Sequence, residues 1–352
     1  MLLVLGLAAF LWGIGALMGA PKHARWMMIG VLYVAVLGVQ AAMPQASSLR
    51  SATGGSLALW LMIGGAVAAI LIYRQGLRAL RRRAQPDAAE TPAGPFSDTE
   101  LNRYARHIVL REMGGLGQKK LKDAKVLVIG AGGLGSPALL YLAAAGVGTI
   151  GIVDDDEVDN SNLQRQVIHC DDAIGTPKVF SAREAMIAQN PFVEVRPYHR
   201  RLAEDEAGAL IAEYDLVLDG TDNFDTRYLV NRVCVEQGVP LISGALSQWE
   251  GQLSVFDPAS GAPCYQCIFP EAPAAGLAPS CAEAGVIGPL PGVVGTMMAV
   301  EAIKVITGAG AALRGEMMIY DALWGETRKI GLRRREDCPV CGAEKGRLAA
   351  SV

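Results

Sequence analysis

The sequence predicts an α/β protein with a doubly wound, mainly parallel β-sheet, antiparallel strands towards the C-terminus and transmembrane helices at the N-terminus. Short apolar runs alternate with helical stretches between residues 98 and 243, a pattern typical of a parallel sheet. A glycine-rich loop follows the first run, and three long uncharged segments occupy most of residues 2–73. At 352 residues the chain is long enough for one large α/β domain and an appendage.

The N-terminal segments 2–20, 26–43 and 51–73 contain no charged residue, and the whole chain has a positive mean hydropathy of +0.28. Each has an apolar core of about 17–20 residues, which at 1.5 Å per residue can cross a hydrocarbon layer of ~30 Å. We therefore expect residues 1–83 to form a membrane anchor with about three transmembrane helices. The alternatives are two or four spans, buried helices of a soluble domain, or a cleaved signal peptide, although the basic segment that begins a signal peptide is missing.

The charges around these segments predict their orientation. Basic residues lie between the first and second segments and after the third: Lys22, His23 and Arg25, then Arg74, Arg78, Arg81, Arg82 and Arg83. Arg50 alone lies between the second and third segments. The positive-inside rule then predicts a multi-pass protein of the inner (cytoplasmic) membrane with its catalytic domain in the cytoplasm. No charged group lies within the spans, so a transport role is not expected.

The remaining chain divides into a Pro/Ala-rich linker at 84–96, a catalytic domain at 97–346 and a tail at 347–352. Ser97 and Glu100 form a capping-box pattern, which predicts a helix from residue 98 to about 113. Strands and helices then alternate, with strands at 126–129, 150–154, 194–198, 216–219 and 241–243, and helices at 137–145, 178–189, 204–211 and 226–237. Antiparallel strands are expected at 252–256, 316–320 and 327–332. Residues 292–307 are apolar but carry Glu301 and Lys304, which predicts a buried soluble helix.

Gly130, Gly132, Gly133 and Gly135 lie between the first strand and the next helix, as in Rossmann-like nucleotide sites. Glycines let the backbone approach phosphate, and the helix N-terminus offers free N–H donors. Asp154 ends the following strand, at about the ~20-residue spacing expected of a ribose-binding acid. This loop alone predicts a nucleotide site without defining its chemistry.

The cationic and amide side chains that follow Asp154 indicate which reaction the nucleotide site carries out. Arg165 and Lys178 suit the negative charge of a triphosphate, and Asn162 can donate without adding charge. These residues could instead be ordinary surface groups. Dehydrogenases on the same fold have no need of them. Asp156, near the strand end, is expected to be structural or to act through another residue.

Asp222 and Asn223 follow the strand at 216–219 in a Gly-Thr-Asp-Asn turn. A carboxylate there is placed to hold Mg²⁺, which prefers oxygen ligands. The alternative is that Asp222 caps the helix expected to begin near Thr226 or sets a turn, because Asp and Asn favour such positions.

Four of the seven cysteines form two Cys-x-x-Cys pairs, Cys264 with Cys267 and Cys338 with Cys341. Two such pairs predict a closed, tetrahedral, structural Zn²⁺ site. A redox role is disfavoured because neither pair has a thioredoxin-like setting. The formal net charge of −3 gives no indication of nucleic-acid binding.

Residues 101–342 resemble the MoeB/ThiF/HesA adenylyltransferases, bacterial relatives of the ubiquitin-activating enzymes, and most of all the molybdopterin-synthase adenylyltransferases. The resemblance rests on the glycine loop, both cysteine pairs and four further motifs in the family's order: Arg103-Tyr-Ala-Arg106, Ser161-Asn-Leu-Gln-Arg165-Gln, Gly175-Thr-Pro-Lys178 and Asp219-Gly-Thr-Asp222-Asn223.

The resemblance implies that ATP and Mg²⁺ activate the C-terminal glycine of a small ubiquitin-like sulfur-carrier protein ending in Gly-Gly. The products would be an acyl-adenylate and pyrophosphate, most plausibly for molybdopterin biosynthesis. A separate persulfide donor would supply sulfur. Arg106 would reach the ATP site of a second subunit, which implies a homodimer, although Arg106 could also be a solvated helix charge. Cys281 lies where some relatives form a covalent bond with their carrier, but Glu283 nearby disfavours a thiolate.

Other functions remain open at this point. Within the family, the carrier could serve thiamine thiazole synthesis or another sulfur pathway, or the substrate could be a modified tRNA base. An NAD-dependent oxidoreductase on the same fold, or a tethered binding protein with an inactive site, would be different classes. Asn162, Arg165 and Lys178 argue against the oxidoreductase, and the intact set of charged residues argues against an inactive site.

Overall fold

The computed structural model describes residues 2–44, 46–54, 56–84, 94–273 and 284–342. The chain forms two compact units, residues 1–92 and 93–352, called here the N-terminal and C-terminal units. The division falls within the segment predicted to be a linker.

The N-terminal unit is helical, with α1 at Leu2–Leu17, α2 at Lys22–Ala42, α3 at Ser48–Thr53 and α4 at Leu57–Ala84. Val4, Val36 and Trp60 pack together at its centre. Most other apolar side chains face outward, so the windows Ala24–Ala42 and Leu57–Leu77 are only 11% and 6% buried. Both windows are long and apolar enough to span a membrane. At 16 residues α1 is shorter, about 24 Å, so the number of spans stays a prediction.

The C-terminal unit is built on one sheet of eight strands in the order β3-β2-β1-β4-β5-β6-β7-β8. The strands are β1 Lys125–Ile129, β2 Thr149–Asp154, β3 Glu194–His199, β4 Leu216–Asp219, β5 Leu241–Leu246, β6 Glu250–Phe256, β7 Glu316–Asp321 and β8 Glu326–Gly331. The first five strands pair in parallel and the last three in antiparallel fashion, which confirms the predicted fold class. The register pairs Ile129 with both Val153 and Asp219, so the carboxyl ends of β1, β2 and β4 meet at one edge.

The helices of this unit are α5 Asp98–Ile108, α6 Gly114–Asp123, α7 Gly135–Ala145, α8 Lys178–Gln189, α9 Glu204–Ile211, α10 Phe224–Gln237, α11 Tyr265–Ile268 and α12 Pro289–Thr307. The predicted helix from residue 98 to 113 is wrong at its end. It stops at Ile108, and after a turn Gly114 adopts a left-handed φ of +59° and begins a separate helix. Turns occupy most of residues 109–113 between the two helices, and glycine adopts the left-handed conformation at position 114 readily.

Helices cover both faces of the sheet. On one face, α7 and α12 enclose a core that includes Leu139, Leu142, Val294 and Met298. On the other, α9 and α10 pack over the strands. The helix α12 is long and apolar enough to span a membrane, but half of it is buried in this core, as the charged pair within it predicts. Gly295 allows the close approach, since a Cβ there would lie 2.2 Å from the Leu134 carbonyl oxygen.

Candidate nucleotide and metal sites

A cleft of about 730 Å³ opens at the carboxyl ends of β1, β2 and β4. Most of the residues predicted to bind the nucleotide line it: Gly130, Gly132, Gly133, Asp154, Asn162, Arg165, Lys178, Asp222 and Asn223. Gly135 lies behind it. Arg106 does not line the cleft, and Cys281 lies outside the described residues. The parallel strands thus bring together side chains that are almost seventy positions apart in sequence.

The four loop glycines have different structural roles. The Gly130 N–H donates to the Val153 carbonyl (2.8 Å), and this residue has a φ of +93°. A Cβ on Gly135 would lie 1.9 Å from the Gly130 carbonyl oxygen, so Gly135 permits close packing of the loop against α7. A Cβ on Gly132 would meet only Gln166 Nε2, at 3.7 Å, and within the described residues no backbone acceptor engages the amides of Gly132 or Gly133. These two amides can donate to an anion in the cleft.

Asp154 ties the glycine loop to the end of β2. Its Oδ2 accepts the Ala131 N–H (2.7 Å) and its Oδ1 accepts the Asp156 N–H (2.9 Å). Burial raises the pKa of the Asp154 carboxyl above its usual range, against the lowering effect of the Lys178 charge and these two N–H donors. The remaining lone pairs face a cleft in which a ribose hydroxyl can donate to them.

His169 supports the same loop and was not identified from the sequence. Its Nε2 lies 3.0 Å from the Ala131 carbonyl, which only accepts, so Nε2 carries the proton. Its Nδ1 then accepts from the Ser181 hydroxyl at 2.9 Å. Burial lowers the pKa of His169, which favours this neutral form.

Lys178 is the first residue of α8 and is buried, with only 6% of its side chain exposed. Its Nζ lies 2.6 Å from Asp156 Oδ2, and its backbone N–H donates to the Asp156 carbonyl (2.9 Å). Asp156 therefore contacts Lys178 through both its side chain and its main chain.

Asn162 is the last residue of a short 3-10 helix, Asn160–Asn162, and Arg165 and Gln166 lie in the turn that follows. Arg165 Nη1 donates to the Ser161 carbonyl at 3.1 Å, and Gln166 Nε2 donates to Asn162 Oδ1 at 2.5 Å. Gln166 is 3% exposed, and its Oε1 is buried without a partner among the described residues. A buried acceptor left unpaired beside a cleft is expected where a ligand or water completes the hydrogen bonds. The orphan oxygen therefore fits a site that holds a ligand.

The turn after β4 is held by a buried ion pair that sequence reasoning missed. Asp219 accepts hydrogen bonds from the Thr221 N–H (3.0 Å) and hydroxyl (2.7 Å), and lies 3.2 Å from Arg227 Nη1. Arg227 in turn donates to the carbonyls of Thr221 and Gly244. The available signal was an acid ending an apolar strand and an arginine on the following helix.

Asp222 projects from this turn into the cleft and makes no hydrogen bond or ion pair within the described part of the chain. The alternative role for Asp222, capping α10, is excluded because the cap is Asn223, whose Oδ1 accepts the Thr226 N–H at 3.0 Å. Asn223 lines the cleft, but its side-chain oxygen Oδ1 already accepts the hydrogen bond of this cap. A free carboxylate beside glycine-loop amides and two cations is suited to hold a magnesium–phosphate complex.

Arg106 is exposed on α5 and forms no ion pair within the described residues. It stands away from the cleft of its own chain.

The four paired cysteines converge, as predicted. Their sulfur atoms are separated by 3.8 Å (Cys264–Cys267), 3.6 Å (Cys264–Cys338) and 3.4 Å (Cys267–Cys341), and all four residues are buried. Tetrahedral Zn²⁺ with sulfur at ~2.3 Å places its ligands about 3.8 Å apart. Burial raises the pKa of the Cys264 thiol, and that of Cys341 to about 11, so these thiols ionise readily only beside a cation. The cluster could therefore hold zinc.

Comparison with known proteins gives a consistent result. Residues 104–340 match the ThiF family. The chain is 49% identical over 244 residues to the SAMP-activating enzyme E1 of Haloferax volcanii, covering 69% of this chain and 90% of that protein. It is also 49% identical over 253 residues to the sulfur carrier protein adenylyltransferase of Thermus thermophilus, covering 71% and 93%. Identity to the probable adenylyltransferase/sulfurtransferase MoeZ of Mycobacterium tuberculosis is 52%, covering 70% and 64%.

Solved structures share the fold. The microcin C7 biosynthetic enzyme MccB, in complex with N-formylated MccA, superposes with a TM-score of 0.62 at 24% identity, covering 69% of this chain and 76% of that one. PaaA gives a TM-score of 0.60 at 22% identity, covering 74% and 82%. At these identities the likeness concerns the fold alone.

Proposed function

Because the chain belongs to the ThiF family and is an adenylyltransferase, we propose that it uses ATP to adenylate the C-terminal glycine of a small ubiquitin-like sulfur-carrier protein. The carrier proposed is one that ends in Gly-Gly, with a persulfide donor supplying the sulfur afterwards. The relatives named for sulfur-carrier adenylation support this substrate class. The observation that carries the proposal is that Arg165, Lys178 and Asp222 line one cleft beside the free amides of the glycine loop.

In the proposed reaction, a carboxylate oxygen of the carrier attacks the α-phosphorus of ATP. The bond from that phosphorus to the bridging oxygen breaks, and pyrophosphate leaves with the electron pair. No proton transfer is required, so the protein must align two anions and balance their charge. Arg165 and Lys178 would bind phosphate oxygens, Gly132 and Gly133 would donate their amides, and Asp154 would accept from the ribose. Asp222 would hold Mg²⁺, which neutralises phosphate charge when bound.

The pathway we propose is molybdopterin biosynthesis, on the strength of the MoeZ relative. Thiamine thiazole synthesis or another sulfur pathway is the alternative, because the cleft itself does not distinguish one Gly-Gly tail from another. ATP–pyrophosphate exchange with purified candidate carriers separates these pathways. The expected result is exchange that depends on one carrier and is lost when its terminal glycine is removed.

An NAD-dependent oxidoreductase would give a different result. In a thermal unfolding experiment, Mg-ATP should raise the melting temperature of the adenylyltransferase. A rise with NADH and none with Mg-ATP would refute the proposed function.

We also propose that the N-terminal unit anchors the protein in the inner membrane, with the C-terminal unit in the cytoplasm. The outward-facing apolar surfaces of α2 and α4 support this proposal, since soluble helices rarely expose such surfaces. Fractionation should find the full chain in membranes and a variant lacking residues 1–84 in the soluble fraction. A soluble full-length protein would contradict the anchor.

Two further features belong to the proposal. The four cysteines would hold a structural Zn²⁺, and a homodimer would bring Arg106 of one subunit to the ATP of the other. Sedimentation of the C-terminal unit in detergent-free buffer, with and without Mg-ATP, tests the dimer. Mixing Arg106→Ala with Lys178→Ala chains should restore part of the exchange activity if Arg106 acts between subunits.

A covalent role for Cys281 stays open, and exchange activity of Cys281→Ser would show whether adenylation requires it.

A further inference from the structure

Asp156 and Lys178 are joined by an ion pair in which the two partners have very different environments. The lysine side chain is 6% exposed, whereas the aspartate side chain is 67% exposed. Within the described residues, Lys178 Nζ has no other hydrogen-bond acceptor. An ordinary surface pair would leave both groups in water, but here a buried cation is matched by a carboxylate at the mouth of the cleft.

Asp156 is itself fixed to the glycine loop by a chain of hydrogen bonds. Its N–H donates to Asp154 Oδ1 (2.9 Å), and Asp154 Oδ2 accepts the Ala131 N–H (2.7 Å). The Asp156 carbonyl accepts the Lys178 backbone N–H (2.9 Å), so Asp156 holds both the main chain and the side chain of Lys178. The position of the ammonium group is thereby linked to the position of the loop.

We infer that Asp156 is a positioning residue, which holds the Lys178 ammonium at the cleft wall until the triphosphate takes its place as partner. This inference rests on the proposed function, which assigns Lys178 to the nucleotide. A lysine side chain is long and flexible, and fixing it before ATP arrives removes an entropic cost of binding. Because the Asp156 carboxylate is exposed, it can turn to water when a phosphate oxygen displaces it.

Asp155 supplies a matched control. It is the adjacent acid, lines the same cleft and contacts Arg201 at 3.6 Å, without touching Lys178. Removing either carboxylate takes one negative charge from the same cleft, so Asp155→Ala accounts for the loss of charge alone. Any difference between Asp156→Ala and Asp155→Ala therefore reports on Lys178.

The experiment measures the Kd of Mg-ATP by calorimetry for the full chain in detergent, together with kcat of ATP–pyrophosphate exchange. Relative to Asp155→Ala, we expect Asp156→Ala to bind Mg-ATP about tenfold more weakly and to lower kcat by a similar factor. In a Lys178→Ala background, the same comparison should show no difference, because Asp156 then has no cation to hold. Asp156→Asn, compared with Asp155→Asn, should give an intermediate loss and replaces the alanine pair if Asp156→Ala does not fold.

Equal Kd values for the two alanine variants would overturn the inference. So would a difference that persists in the Lys178→Ala background, since Asp156 would then act independently of that lysine. The proposed function is tested separately. It is refuted if the wild-type chain catalyses no exchange with any Gly-Gly carrier. The Kd comparison still decides the role of Asp156 in that case.

Discussion

Asp219 and Asp222 lie three positions apart in one turn, yet they have opposite environments. Asp219 is 1% exposed and is satisfied by Thr221, Ser243 and Arg227. Asp222 faces the cleft and is unpaired within the described residues. The first carboxylate fixes the shape of the turn, and the second is available to a ligand. Substitutions at the two positions should therefore have different effects.

Replacing Asp222 should remove function without removing stability. Asp222→Ala is expected to reduce ATP–pyrophosphate exchange by at least about 100-fold, because a metal ligand at the reacting phosphates is lost. The free energy of unfolding should change by less than about 0.5 kcal/mol, as for other surface positions. Asp225→Ala, in the first turn of the same helix, is the control and should retain exchange. Exchange near the wild-type rate in Asp222→Ala would contradict the metal role.

Replacing Arg227, unlike replacing Asp222, should destabilise the C-terminal unit. Arg227→Met leaves the buried Asp219 carboxylate without its cation, which costs about 3–5 kcal/mol in comparable pairs. Arg232 pairs with Glu204 at 2.8 Å, but both side chains are largely exposed, so Arg232→Met should cost under about 1 kcal/mol. Urea denaturation of both variants measures the two values. Equal costs would mean that burial of the Asp219 pair has no energetic importance.

His169 makes stability depend on pH. Its pKa is lowered in the folded protein, chiefly by burial, while the unfolded chain titrates near the ordinary histidine value of about 6.5. The unfolded state therefore binds a proton first, and stability falls as pH drops from about 7 through the ordinary value. We expect His169→Gln to reduce the loss of unfolding free energy between pH 7 and 5, as measured by denaturation curves at each pH. The same slope in His169→Gln as in the wild-type protein would contradict the assignment.

At the level of elements, the sequence predicts nearly all strands and most helices because their apolar runs have clear periods and clear ends. The helix predicted to run to about residue 113 ends at Ile108, since the helical pattern of the sequence continues through residues 109–113, and α6 was not predicted. The cleft was predictable where a motif places ligands beside strand ends. The sequence did not predict the contact of Asp219 with Arg227 or that of His169 with Ala131. Such contacts depend on which elements become neighbours in space.

The glycine loop gives a prediction at this scale. A methyl group on Gly135 would meet the Gly130 carbonyl at 1.9 Å, so Gly135→Ala must move α7 or the loop and should destabilise by about 1–3 kcal/mol. A methyl group on Gly132 meets nothing closer than 3.7 Å, so Gly132→Ala should fold normally. That methyl group would nonetheless occupy the cleft and raise the Kd of Mg-ATP. Thermal unfolding and calorimetry distinguish the two outcomes, and normal stability of Gly135→Ala would refute the packing role.

At the scale of the whole molecule, the two units are stabilised by different means. The N-terminal unit has a small internal cluster around Trp60 and exposes apolar helices, as suits a lipid environment. The C-terminal unit has a continuous core on both faces of its sheet. Its last described segment is joined to α11 through the cysteine cluster, which lies outside the main cores.

Metal removal should therefore affect the C-terminal end most. Treatment of the protein with a strong chelator at pH 7 is expected to release about one Zn²⁺ per chain and to lower the melting temperature of the C-terminal unit. Cys338→Ser should bind less zinc and show the same loss without chelator. Cys234→Ser, at a buried cysteine outside the cluster, should retain the metal. Purified protein without bound metal and with unchanged stability would contradict a structural zinc site.

The buried position of α12 has a consequence for synthesis of the protein in the cell. This helix resembles a membrane span in length and hydropathy, so if α2 and α4 are inserted as proposed, the insertion machinery would encounter a third such segment. Six strands of the sheet precede α12 in the chain, and its partners on α7, β5 and β6 are therefore synthesised before it. The early folding of those elements offers α12 a protein surface in competition with lipid. Translation order thus favours packing of this apolar helix against the sheet.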